Sequence, residues 1–387
     1  MTPLASLVDD EEARRREFPI CRRKAYFAHA AVAPLPQTVV SAMTSYLEYS
    51  SQEGRDFPEV WAKLADVRMA AAQLIGAAPE EIALIGPTSI GLNAVALGLD
   101  WKEGDEVVCY ADDYAANVYP WTYLRRRGVR VVLLKSETPG AITPALVEAA
   151  LTAQTRLVAL ATANFVSGYR IDIDAIGQLL GKRGILFALD AIQSLGAFPI
   201  SVEHVDFLSC GSQKWLLGPE GSGFFYVKKS RLEQLQPALV GAINVTCPNY
   251  VATEEMAFVP GAQRYEATVM DVAGLLGMKA AINLLLDYGA REIGVRILEL
   301  KRHLVESLNG MGFKVLSVTS GPNASGITTC LHPKVESERL LEALSANQIV
   351  VSLRHDRSGS AHLRIAPHFY NTFDEIAKLT DVVRKLV

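Results

Sequence analysis

The strongest constraint on this chain is an alternation of two apolar patterns between residues 82 and 210. Short β-rich runs fall at 82–85, 106–110, 130–134, 156–161, 185–189 and 206–209, and stretches with helical periodicity separate them at 89–99, 117–127, 144–152 and 173–183. The runs are apolar throughout rather than at every second residue. A strand of that kind is covered on both faces, and such strands separated by helices form a mostly parallel sheet. Segment 221–227 reads as a further strand. It follows the sixth too closely for a parallel crossover, so an antiparallel edge strand is expected.

The pattern changes near residue 272. Helical stretches at 272–287 and 292–309 precede strand-like segments at 314–317, 327–331, 349–353 and 362–365, with helices at 337–346 and from Thr372. A length of 387 residues leaves room for two or three folding units. The expected division is an N-terminal segment (1–30), a large α/β domain (31–270) and a smaller C-terminal α+β domain (271–387).

Thirty-eight basic and 42 acidic residues give a formal charge of −4, without the basic excess of a nucleic-acid binder or the polybasic signal of a membrane-surface protein. No apolar run has the length of a transmembrane helix, and no apolar stretch follows the charged N-terminus as in a secretory signal. The five cysteines are scattered, with no C-x-x-C spacing. Neither a disulfide framework nor a metal site is expected, and a cytoplasmic protein with free thiols is the simplest reading.

In open α/β sheets ligands collect beyond the C-terminal ends of the parallel strands. The first run ends in Gly-Pro-Thr-Ser-Ile-Gly at 86–91. A turn with hydroxyls leading into a helix start makes an anion cup, although Thr88 or Ser89 could equally be a simple helix cap. After the second run, an aromatic ring of the loop at 112–121 could stack on a planar cofactor, or pack beneath the loop. The fifth run ends at Asp190, an acid that is costly to bury without a partner. The sixth leads to Lys214, a lone lysine in a loop rich in Gly, Ser and Gln. Most lysines are solvated surface charges, but this one follows a buried strand at the ligand end of the sheet. A lysine amine, a buried carboxylate and a helix N-terminus are what pyridoxal phosphate requires: an imine partner for its aldehyde, a counter-charge for its ring nitrogen and a phosphate cradle.

Here the sequence resembles the class V aminotransferase family of fold-type I pyridoxal-phosphate enzymes, a group that includes cysteine desulfurases, kynureninases and isopenicillin N epimerase-like proteins. The resemblance runs from about Tyr26 to the C-terminus. Its most specific part is Asp-Ala-Ile-Gln at 190–193 followed by Ser-Gln-Lys-Trp-Leu-Leu-Gly-Pro-Glu-Gly-Ser-Gly at 212–223. Further matches are Tyr-Phe-Ala-His-Ala-Ala at 26–31, Asn-Val-Tyr-Pro-Trp at 117–121 and Leu-Arg-Ile-Ala-Pro-His-Phe-Tyr-Asn-Thr at 363–372.

The resemblance implies a mostly parallel central sheet with helices on both faces and a homodimer with interfacial sites. It implies Lys214 as the Schiff-base lysine that also moves the Cα proton, and Asp190 as the partner of the pyridinium nitrogen. Gln193 would contact the ring oxygen and Tyr114 would stack on the ring. Thr88, Ser89, Ser212 and Gln213 would hold the phosphate, with Thr268 reaching a phosphate across the dimer. Asn164 is a further candidate for contacting cofactor or substrate. Arg364 would clamp the substrate carboxylate, and Ala30 and Ala31 would line the entrance. Apart from the resemblance, Arg354, His355 and Arg357 form a basic cluster near Arg364 that could bind a second acidic group on the substrate or form a solvated loop. Two departures bear on function. The segment Arg-Tyr-Glu-Ala-Thr at 264–268 lacks the glycine of relatives, and the segment at 354–362 has no cysteine where desulfurases carry a mobile one. The implied activity is that of an aminotransferase acting on a small amino acid, with a lyase or epimerase as the alternative.

Two rival readings fit less well. An inactive binding protein built on this fold would lack the lysine, the acid or the arginine, and all three are present. A dinucleotide-binding enzyme needs G-x-G-x-x-G between strand and helix, whereas the glycines at 218–223 precede a strand.

Overall fold

The computed structural model describes residues 4–54, 56–269 and 271–387. A two-residue strand, β1 (Ala25–Tyr26), follows short N-terminal helices, and helices Gln37–Gln52 and Phe57–Ile75 come next. In the second of these, Val60, Leu64, Val67, Ala71 and Ile75 are buried, the i, i+4, i+7 spacing of a single apolar stripe. Gly76, at φ 70°, ends it in the left-handed conformation that glycine adopts without strain.

The central sheet contains β2 (Ile82–Ile85), β3 (Glu106–Tyr110), β4 (Arg130–Leu134), β5 (Thr155–Ala161), β6 (Leu186–Asp190), β7 (Phe207–Gly211) and β8 (Gly223–Val227). Their order is β2-β8-β7-β6-β5-β3-β4, parallel except for β8. Every residue of β2, β3, β6, β7 and β8 is buried, as continuous apolar runs require, whereas edge strand β4 exposes Arg130 and Leu133. The expectation of an antiparallel edge strand is half corrected. β8 is antiparallel, but it is interior and pairs with β7 on one side and β2 on the other. A fully buried strand needs backbone partners along both edges, and β2 supplies the second set.

β2 thus becomes an edge, and its outward Leu84 N–H donates to Glu266 Oε1 at 2.7 Å. The same carboxylate accepts from Arg68 at 2.6 Å, with both side chains largely buried. Glu266→Ala strands a buried guanidinium and an edge N–H together. It is expected to cost about 3–5 kcal/mol, read as a lowered urea midpoint with an unchanged slope.

The helix expected at 117–127 is broken into a turn at Ala115–Asn117, one helical turn at Tyr119–Tyr123 and a tighter turn at Leu124–Arg127. Pro120 has no N–H to continue an incoming helix, and Val118 departs from helical geometry at φ −123°. Helices Val272–Tyr288 and Ala290–Gly310 meet at an 80° bend. Gly289, at φ 87°, is the hinge. No single helix among the described residues is long and apolar enough to cross a membrane.

Beyond the bend, β9 (Lys314–Val315), β10 (Thr328–Leu331), β11 (Ile349–Val350), β12 (Ser352–His355) and β13 (Ala361–Ile365) complete the strands. The single strand expected at 349–353 is two. β11 pairs in parallel with β1, and β12 turns to pair with β13 in an antiparallel sheet of order β12-β13-β10-β9. Phe27 belongs to the core beneath this sheet, with Leu300, Leu344, Ile365 and Leu379.

Candidate active site

Five strand ends converge on a cavity of about 400 Å³. β2 runs through Gly86 and Pro87 into helix Thr88–Gly98, whose first turn no side chain caps. Uncapped N–H groups and the helix dipole favour an anion there. Thr88 and Ser89 line the cavity. The Thr88 hydroxyl accepts from Gly211 N at 2.8 Å, fastening the cup to the end of β7.

Asp190 closes β6, 3% exposed, and its carboxylate accepts from Ile192 N at 3.0 Å. Burial pushes this carboxyl up, while the Ile192 N–H and the Lys214 charge pull it down. Beyond β7, Lys214 opens onto the same cavity, with Nζ 5.5 Å from the centroid of the Tyr114 ring. Among the described residues its amine has no hydrogen bond or ion pair. Burial pushes the Lys214 ammonium down to about 8, against the opposing pull of Asp190.

Gln193 is held at both ends of its amide: Nε2 donates to Ala30 O at 3.1 Å, and Oε1 accepts from Trp215 Nε1 at 3.1 Å. The second proton of that Nε2 is free to face the cavity. Tyr114, 52% exposed, meets Phe165 edge to face with centroids 5.5 Å apart. Arg364, on β13 and 1% exposed, donates through Nε to Ser352 Oγ at 3.1 Å and through Nη1 to Phe165 O at 2.6 Å. Its buried Nη2 has no partner. Arg354, Ala30, Ala31 and Gln213 complete the lining contributed by the expected residues.

Three expected residues lie elsewhere. Ser212 is fully buried and binds Pro219 O and Ser222 Oγ at 2.6 and 2.7 Å, pinning the loop shut behind Lys214. Asn164 accepts from the N–H groups of Val166 and Ser167, organising a turn. Thr268 is exposed and does not line the cavity. Of the basic residues near the clamp, Arg357 pairs with Asp112, and exposed His355 is not part of the lining. His29 is buried between Ala366 O and Tyr370 Oη, and burial pushes its imidazole down to about 4, so it is a neutral structural group.

Phe165 was not singled out in the sequence, yet it orients Arg364 and flanks Tyr114. Its signal is position, directly after a buried strand and Asn164. Asp113 was also passed over. Burial and then the Asp190 charge push its carboxyl up to about 7. A larger surface cleft, of about 960 Å³, lies between the N-terminal helices and the last helix. Of the cations that line it, Arg14, Arg15 and Arg296 have acidic neighbours in Glu11, Glu375 and Glu299.

A family model for class V aminotransferases matches residues 25–379, so the chain belongs to that family. A probable cysteine desulfurase of Methanothermobacter thermautotrophicus is 29% identical over 409 residues, which cover 96% of this chain and 97% of that protein. The apo structure of a cysteine desulfurase from Thermococcus onnurineus superposes with a TM-score of 0.90 at 24% identity, over 97% of this chain and 98% of that one. A C-DES mutant with glycine covalently linked to its PLP cofactor superposes at 0.87 with 21% identity, over 96% and 98%. The protein is a pyridoxal-phosphate-dependent class V enzyme of this fold.

The cavity fits that cofactor. Among the described residues, Asp190 is a buried carboxylate with no cation in hydrogen-bond contact, and Lys214 is an unpaired amine. Gln213 Oε1 is buried without a partner beside the anion cup. Amide oxygen and nitrogen are assigned from their partners. Turned over, Gln213 presents its NH2 group to a phosphate.

Proposed function

We propose that this enzyme is an aminotransferase acting on a small α-amino acid. The observation that carries the reading is the convergence of the Lys214 amine, the Asp190 carboxylate and the free Arg364 Nη2 on one cavity lined by no cysteine. Bound pyridoxal phosphate supplies an aldehyde that condenses with amines and a ring that accepts electrons from Cα. Asp190 would accept a hydrogen bond from the protonated ring nitrogen, which would satisfy a carboxylate that is otherwise costly to bury. Thr88, Ser89 and Gln213 would hold the phosphate, and Tyr114 would pack against the ring. Arg364 grips the substrate carboxylate through its open Nη2, with Phe165 O and Ser352 Oγ fixing the plane of the fork. Lys214 Nζ, neutral for part of the time near pH 8, takes the Cα proton and returns it. The same reading makes the protein a homodimer, with exposed Thr268 reaching the neighbouring subunit's phosphate.

One observation favours a second reading, a lyase that expels a β-substituent. The compared relatives carry the name cysteine desulfurase, and a further solved neighbour is named a cystine C-S lyase. Cys109, Cys210 and Cys330 are buried, and Cys21 and Cys247 do not line the cavity. Transfer of sulfur to an enzyme thiol therefore has no acceptor among the described residues that line the cavity, whereas elimination needs none. The visible spectrum of the purified protein separates the readings. Transamination is expected to convert the cofactor band to the pyridoxamine form on adding an amino acid, and a keto acid should restore it. A band that persists while product is eliminated would replace the first reading with the second. No cofactor band after supplementation would sink both.

A further inference from the structure

Two guanidiniums face the cavity side by side, and the reading above gives an anion to only one. Ser352 pairs with Arg364 across β12 and β13, and Arg354 lies two residues further along β12. Side chains alternate along a strand, so Ser352, Arg354 and Arg364 share one face of the sheet. Arg354 is the diagonal neighbour of Arg364, at a backbone spacing of roughly 7–8 Å. Both line the cavity.

Other basic side chains on this segment have acidic partners and Arg354 does not. Arg357 is held by Asp112, and His362 by Asp356. The Arg354 guanidinium donates only to the carbonyl of Leu353, at 2.8 Å, and among the described residues it contacts no carboxylate. The charged lining of the cavity consists of Asp190, Lys214, Arg354 and Arg364. Once Asp190 serves the ring nitrogen, Thr88, Ser89 and Gln213 the phosphate, and Arg364 the α-carboxylate, Arg354 is the permanent cation left without an assigned anion. Burial and the neighbouring Arg354 charge both weigh against a charged Arg364. Guanidiniums do not shed their protons in proteins, so two of them at one cavity call for two anionic groups.

We propose that the substrate is an amino acid with a short side chain that ends in a carboxylate, and that Arg354 is the residue that selects it. This rests on Arg364 being the α-carboxylate clamp. The distinction is one of charge: a neutral side chain of the same length leaves Arg354 without an anion and so forgoes that interaction.

The test uses the holoenzyme and two unreactive probes, succinate and butyrate, which have equal carbon chains and no amino group. Isothermal titration calorimetry is expected to show succinate binding roughly tenfold or more tightly. Arg354→Gln should erase that preference while leaving butyrate nearly unchanged, and Arg354→Lys should keep part of it. Equal affinities for the two acids, or an Arg354→Gln effect equal on both, would overturn the proposal. If neither acid binds, the clamp reading of Arg364 fails, and this proposal falls with it.

Discussion

Replacing Lys214 with Ala is expected to reduce turnover by roughly 10⁴-fold or more, through loss of a positioned proton carrier together with the covalent anchor of the cofactor. The variant should still fold, because Nζ makes no hydrogen bond or ion pair that holds the loop. Trp215 and Ser212 fix that loop instead, through Gln193, Pro219 and Ser222. Borohydride should leave the cofactor releasable from the variant and fix it in the parent. The pH dependence has a definite sign. A depressed lysine pKa makes the reactive neutral amine available at lower pH, with half of it neutral at about 8. Cofactor capture by the apoprotein should rise with pH up to about 8 and then level off. A rise continuing towards the ordinary lysine value of ~10.4 would show that burial does not tune this amine.

The second large effect belongs to Arg364. Arg364→Gln keeps a polar group on β13 but removes the charge and the open Nη2. Truncating one partner of a buried charge pair costs about 2–5 kcal/mol, so carboxylate ligands should weaken by roughly 30-fold to several thousand-fold. The Phe165 carbonyl also loses its donor, which lowers stability by about 1–3 kcal/mol. The two effects separate by experiment. Affinity for carboxylate substrates should collapse, while a simple amine still reacts with the cofactor and the thermal transition moves by only a few degrees. Unchanged carboxylate affinity would remove Arg364 from the clamp.

The sheet was legible because its strands are buried on both faces, so runs such as those of β3 and β6 carry apolar residues with no polar alternation. Asp190 and Lys214 stood out for the same reason, as charges placed directly after such runs. Strand order was not legible. Local pattern shows that β8 is buried, but not that β2 lies against its far edge. The break at Val118 and Pro120 needed the three-dimensional loop, because aromatic and apolar spacing there imitates a helix. Arg357 resembled a site residue until Asp112, far away in sequence, was seen to hold it. Phe165 escaped notice because its backbone oxygen, which residue type does not advertise, positions Arg364.

The placement of β8 between β2 and β7 also has a temporal consequence. A chain emerging from the ribosome carries β2 and the phosphate-cup helix for on the order of ten seconds before β8 exists to join them to the sheet. In that interval Thr88 and Ser89 have no fixed relation to Lys214. Completion of the cofactor pocket is therefore a late event in synthesis, and a nascent chain halted before Gly223 exposes an apolar strand with no edge to dock on.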